Sequence, residues 1–215
     1  SSSPVSVSSS KCHNNDPSTE QLDVAHTISK AMAYLHAKKI IFRDLKPDNV
    51  GFDSNGVLKL FDFGFAIGLP EKTCHSRNGM VCPGKVFERC GTPRYMAPEN
   101  GLETGYCLSA DVYSFGILLW EICSLNKAFG SFKSIDEFEA AVFHGGTRPT
   151  IETHWPTTMK HLMMKCWASN PDDRPGILTV SQTLASAMPK KGVAASSRKP
   201  ARPHRRLSMS MVGGV

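Results

Sequence analysis

The segment Phe42-Arg43-Asp44-Leu45-Lys46-Pro47-Asp48-Asn49 concentrates chemistry in this 215-residue chain. It offers a carboxylate at Asp44 and an amide at Asn49, with a cation between them at Lys46. Further on, Phe61-Asp62-Phe63-Gly64 supplies a second carboxylate, Asp62. Hard oxygen donors on adjacent loops, here Asn49 and Asp62, suit Mg²⁺, which keeps waters and phosphate oxygens as its other ligands. Asp44 is then free to accept a hydroxyl proton, while Lys46 offsets charge on a phosphoryl group in transfer. Taken singly, each of these residues reads as ordinary solvated surface; their combination is what points to chemistry.

Local signals place the elements that must hold this set. Ser18, with Gln21 three residues on, forms a capping box. Leu22, Ala25, Ile28, Met32 and Leu35 follow at helical spacing, ending near Lys38-Lys39. Val50 to Phe52 and Val57 to Phe61 flank Ser54-Asn55-Gly56, a hairpin signal. Gly64 to Tyr95 shows no clear period. Leu108 to Leu125 reads as a helix apolar on nearly all sides, its most apolar run stopped by Glu121. Three further amphipathic helices are expected near 134–144, 156–167 and 177–187. Residues 1–17, rich in Ser and Asn, read as a disordered linker, and 188–215 as a basic disordered tail.

Several motifs in order carry a family resemblance. Phe42 to Asn49 resembles the protein-kinase catalytic loop H-R-D-L-x-x-x-N with its first residue changed, and Asp62-Phe63-Gly64 the D-F-G motif. Ala97-Pro98-Glu99 resembles A-P-E, preceded by Cys90-Gly91-Thr92-Pro93-Arg94-Tyr95. Ser109 to Gly116 resembles the start of the family's central helix. Arg148-Pro149, Cys166-Trp167 and Asp173-Arg174-Pro175 resemble late motifs of tyrosine-kinase-like serine/threonine kinases.

The resemblance implies a mainly α fold over 18–187, the C-terminal lobe of the α+β protein-kinase fold without its β-rich N-terminal lobe. It implies ATP and Mg²⁺ as cofactors, with Asp44 as catalytic base, Asn49 and Asp62 as metal ligands and Lys46 on the γ-phosphate. Thr92 would hydrogen-bond near Asp44 and Lys46. Glu99 and Arg174 would form a buried ion pair, and Asp111 would hold the catalytic-loop backbone. Lys46-Pro47 is the serine/threonine form of the loop, so protein Ser and Thr hydroxyls are the expected acceptors, with room for a regulatory partner. Arg43 would meet an activation-segment phosphate; Glu88 stands at that position, for a bidentate pair without phosphate, with Thr73 or Ser76 as alternative control points.

Departures from the family are equally legible. No glycine precedes Gly51, so a Gly-rich phosphate loop upstream of Asp44 is missing, as is the usual lysine strand. The chain by itself is therefore expected to be inactive; the rival reading is a pseudokinase or truncated lobe serving as a protein-binding module. Phe42 replaces the usual His or Tyr and is read, like Phe63, as core. Gly51 replaces a residue beneath the adenine and is expected to loosen that pocket. Seven cysteines without C-x-x-C spacing suggest reduced thiols in an intracellular, cytoplasmic setting. The spacing of Cys74, His75, Cys82 and Cys90 fits no common zinc pattern. The formal charge of +6 resides in the tail: without its seven bases, 18 basic residues face 19 acidic ones, so no nucleic-acid surface is implied. No membrane span is expected.

Overall fold

The computed structural model describes residues 16–69, 73–75, 81–83 and 85–188, with backbone alone for 73–75 and 81–83. The linker before Asp16, the tail beyond Met188, Ser76 and the side chains of Thr73, Cys74, His75 and Cys82 lie outside the described residues. The first helix, α1 (Thr19–Ala37), starts on the expected box: Gln21 N donates to Ser18 Oγ at 3.2 Å and Ser18 N to Gln21 Oε1 at 2.6 Å. The Gln21 amide also donates to the Ile122 carbonyl at 2.5 Å, so this cap ties α1 to the end of α3 (Leu108–Ser124). Leu22, Ala25, Ile28, Met32 and Leu35 are buried, as their spacing requires.

Helix α3 is the centre of the molecule, with Val112, Phe115, Ile117, Leu118 and Leu119 all buried. A side chain at Gly116 would bring Cβ within 2.8 Å of Cys166 Cβ, so glycine there permits close approach of α5 (Thr157–Cys166). Glu121, which stops the most apolar run of the sequence, lies inside α3 and not at the surface. It is buried, accepting from Tyr95 Oη at 2.9 Å and Ala128 N at 2.7 Å. Burial pushes its carboxyl above the usual range despite these bonds. The short helix α2 (Pro98–Gly101) precedes α3; α4 (Ile135–Glu139) continues into a π turn over Ala140–His144, and α6 (Ile177–Ala187) packs on α1.

Among the described residues, three two-stranded antiparallel sheets complete the architecture. β2 (Val50–Phe52) pairs with β3 (Leu58–Leu60), and Asp53 Oδ1 accepts from Asn55 N and Val57 N at 2.9 Å to close the turn, with Gly56 at φ 75°. β1 (Ile40–Ile41) pairs with β4 (Ile67–Gly68), and β5 (Thr73–His75) with β6 (Val81–Pro83). Neither of these two pairs was expected, because strands of two or three residues are too short to show alternation. Among the described residues no helix is long and apolar enough to cross a membrane.

Candidate functional site

The loop after β1 and the loop after β3 carry the candidate residues, and both contain backbone strain. Arg43 has φ 71° and Asp62 φ 56°, left-handed values that a side chain adopts at some cost. Asp111, one turn into α3, holds the first loop in this form. Its carboxylate accepts from Phe42 N at 2.8 Å and Arg43 N at 2.9 Å and lies 2.9 Å from His36 Nε2, so α1, the loop and α3 meet on one buried anion.

Asp44, only 3% exposed, is the convergence point. Lys46 Nζ donates to its Oδ2 at 2.8 Å; Thr92 donates to Oδ1 from Oγ1 at 2.7 Å and from N at 2.9 Å. Lys46 Nζ also donates to Thr92 Oγ1 at 2.8 Å. Asn49 Nδ2 donates to the Asp44 carbonyl at 2.8 Å and to Oδ2 at 3.0 Å. Burial alone would raise the Asp44 carboxyl; the bonds from Lys46 and Thr92 outweigh it and hold it below the usual range. Asp44 is thus an ionised carboxylate in a preorganised cage. Thr92 reaches it because Gly91, at φ 99°, runs against the Arg43 carbonyl, where a Cβ would have no room.

Asp62 is exposed, with Oδ1 accepting from Gly64 N at 3.3 Å. Among the described residues no three His, Cys, Asp or Glu side chains cluster as a metal site. The donors do fit a Mg²⁺ held mainly by phosphate and water: Asn49 directs both amide bonds at Asp44, leaving its oxygen as the donor, and Asp62 has a carboxylate at the surface.

The structure alters three expectations. Phe63 packs edge-on against buried Phe42, centroids 5.2 Å apart, but is itself 49% exposed and therefore not core. Phe52, Phe61 and Phe65 are likewise exposed. The space over Gly51 is not loose, because the Phe61 ring fills it, 2.9 Å from where a Cβ would stand. Arg43 and Glu88 do pair, but through one contact, Nη1 to Oε2 at 3.0 Å, with Glu88 72% exposed. Arg43 Nε donates to the Phe65 carbonyl at 2.5 Å, and the Nη1 that meets Glu88 also reaches Tyr106 Oη at 3.4 Å. Burial would lower the Arg43 pKa, yet the bonds to Tyr106 and Glu88 raise it overall.

Tyr106 was not singled out from the sequence. Its backbone bridges Val86, its hydroxyl donates to the Glu88 carbonyl at 2.7 Å, and Cys90 Sγ lies 3.6 Å away. Asn100, whose amide donates to the Cys90 carbonyl at 3.0 Å, was missed as well. No local periodicity marks either residue, since their partners lie on other segments.

Comparison with known proteins gives this arrangement its context. Residues 10–184 match the family model described as protein tyrosine and serine/threonine kinase. The chain belongs to the protein kinase family. It is 34% identical to serine/threonine/tyrosine-protein kinase HT1 of Arabidopsis thaliana over 76% of this chain and 39% of that protein. Dual specificity protein kinase shkB of Dictyostelium discoideum is 33% identical over 74% of this chain and 23% of its own length. Platelet-derived growth factor receptor alpha of Takifugu rubripes is 33% identical over 78% of this chain and 15% of its own. This kinase chain therefore spans well under half of these relatives.

Proposed function

We propose that residues 18–187 form the C-terminal lobe of a protein kinase catalytic domain, which transfers the ATP γ-phosphate to protein Ser and Thr hydroxyls. The observation that carries this reading is the Asp44 carboxylate, ionised and held between Lys46, Asn49 and Thr92. Asp44 accepts the hydroxyl proton of the substrate, in the role of a positioned base. Thr92 and Lys46 fix its direction, and Lys46 also faces the phosphoryl group. Asn49 and Asp62 would hold Mg²⁺; when bound, Mg·ATP supplies the phosphoryl group and neutralises charge on its oxygens. Lys46-Pro47 supports Ser and Thr as acceptors. The names of the relatives span serine/threonine, dual-specificity and serine/threonine/tyrosine kinases, so tyrosine peptides belong in the assay.

The test is transfer of label from γ-labelled ATP by the intact protein to Ser, Thr and Tyr peptides. Label on Ser or Thr is expected. Label on Tyr alone would overturn the acceptor assignment, and no transfer at all would overturn the enzyme. One observation favours the binding-module reading: the exposed aromatic surface of Phe52, Phe61, Phe63 and Phe65 beside the site, a patch suited to association. Residues 1–215 expressed alone are accordingly expected to be poorly soluble and to bind Mg·ATP with Kd no tighter than roughly 1 mM. Micromolar binding by calorimetry would refute that expectation.

The Arg43–Glu88 contact supports ordering of the activation segment without phosphate. A single exposed carboxylate contact is weak, on the order of 0–1 kcal/mol, so Glu88→Ala is expected to lower activity of the intact, dephosphorylated protein about twofold to fivefold. Glu88→Thr should fall equally and recover on phosphorylation. Unchanged activity in Glu88→Ala would end this reading of Glu88.

A further inference from the structure

The seven cysteines divide sharply by setting. Cys90, Cys107, Cys123 and Cys166 are buried thiols outside any disulfide. Burial pushes the Cys123 and Cys166 thiols up to about 12 and raises Cys90 as well, so these three are poor sources of thiolate. Cys12 lies outside the described residues. The remaining two occupy a special position: in the β5–β6 ladder, Cys74 stands directly opposite Cys82, flanked by the pairs Thr73 with Pro83 and His75 with Val81. Directly opposed residues of antiparallel strands have Cα atoms roughly 4.5 or 5.5 Å apart, depending on the hydrogen-bonding site. Both separations fall inside the span of roughly 4.4–6.8 Å that a disulfide bridges. Opposed residues also share one face of the ribbon, since side chains alternate along each strand.

We propose that Cys74 and Cys82 are a reversible dithiol–disulfide site that closes the β5–β6 hairpin. The oxidant is a low-molecular-weight disulfide. One cysteine thiolate attacks it, expelling one equivalent of thiol and forming a mixed disulfide. The opposing cysteine thiolate then attacks the protein sulfur of that mixed disulfide and expels the second equivalent. Two protein thiols and one small disulfide thus become one protein disulfide and two small thiols, and excess thiol reverses both steps. The hairpin lies between Gly64 and Ala97, in the stretch that also supplies Glu88 and Thr92 to the site, so the bond would shorten the free span of that stretch without touching Asp44.

The pairing can be read by peptide mapping of the full native chain. It is incubated with glutathione disulfide, remaining thiols are alkylated, and the protein is digested with trypsin without reduction. Trypsin cuts after Lys72, Arg77 and Lys85, so a Cys74–Cys82 bond joins peptide 73–77 to peptide 78–85. The expected result is this linked pair, two hydrogens lighter than the separate peptides together, released by dithiothreitol and diminished when oxidation is done in concentrated urea. Recovery of Cys74 and Cys82 as alkylated thiols, as separate glutathione adducts or as bonds to Cys90 would overturn the proposal. An equal yield in urea would overturn its basis in the hairpin register. In Cys82→Ser, Cys74 should instead accumulate as the glutathione adduct; absence of that adduct would also count against the proposal.

Discussion

Arg174→Ala is expected to destabilise the protein by about 3–5 kcal/mol, a large part of a typical domain's stability. Arg174 is 1% exposed. Its guanidinium donates to Glu99 through Nη1 at 2.5 Å and Nη2 at 2.9 Å, to the Ser109 carbonyl at 3.0 Å, and through Nε to the Ala168 carbonyl at 2.9 Å. It also lies over the Tyr113 ring, 5.2 Å from the centroid. Truncation leaves Glu99 buried without its cation, removes the bonds to the Ser109 and Ala168 carbonyls, and opens a cavity between α2, α3 and the turn at Pro171–Asp173. The first of these effects dominates, because a buried unpaired charge is far more costly than a lost neutral hydrogen bond. Arg174→Lys cannot restore the fork and should recover less than half of the loss. Glu99→Leu combined with Arg174→Met should be milder than Arg174→Ala, since neither charge is then stranded. Urea unfolding followed by the fluorescence of Trp120, Trp155 and Trp167 measures this. A loss below about 1 kcal/mol for Arg174→Ala would mean that water enters and solvates Glu99.

Asp44→Asn is expected to lower kcat of the intact protein by about 10²–10⁴-fold, with KM for the peptide changed far less. The amide is nearly isosteric, so the loop keeps its path through Asp111. It cannot take a proton from a hydroxyl, and it removes the anion on which Lys46 and Thr92 converge. The partly buried ammonium of Lys46 then has no carboxylate partner at this site, so some loss of stability accompanies the kinetic effect. Thr92→Ser separates the two: it keeps a donor for Asp44 and should retain activity within about tenfold. A kcat for Asp44→Asn within tenfold of the unaltered protein would remove Asp44 from the role of base.

What the sequence by itself determined is whatever depends on neighbours a few residues apart. The Ser18–Gln21 box, the buried stripe from Leu22 to Leu35, the Asp53–Gly56 turn and the apolar α3 all follow from local spacing, because caps, turns and amphipathic faces are set within one or two turns of chain. The order of motifs from Asp44 to Arg174 carried the family resemblance, and with it expectations for Thr92, Asp111 and the Glu99–Arg174 pair that no spacing could have supplied. Only the tertiary structure decided the rest. The short pairings of β1 with β4 and β5 with β6 had no pattern long enough to read, and Cys74 met Cys82 only through register. The Phe63 ring, apolar and next to buried Phe42, stays half in solvent because exposure depends on what lies above a side chain and not on its type. Glu121 is the converse: a charged residue lies inside, because Tyr95 Oη and Ala128 N come to it from outside α3. Tyr106 joins Arg43, Glu88 and Cys90 through contacts made across the fold. Such convergence leaves no periodic trace, since each partner arrives by folding over sequence separations that local propensity cannot encode.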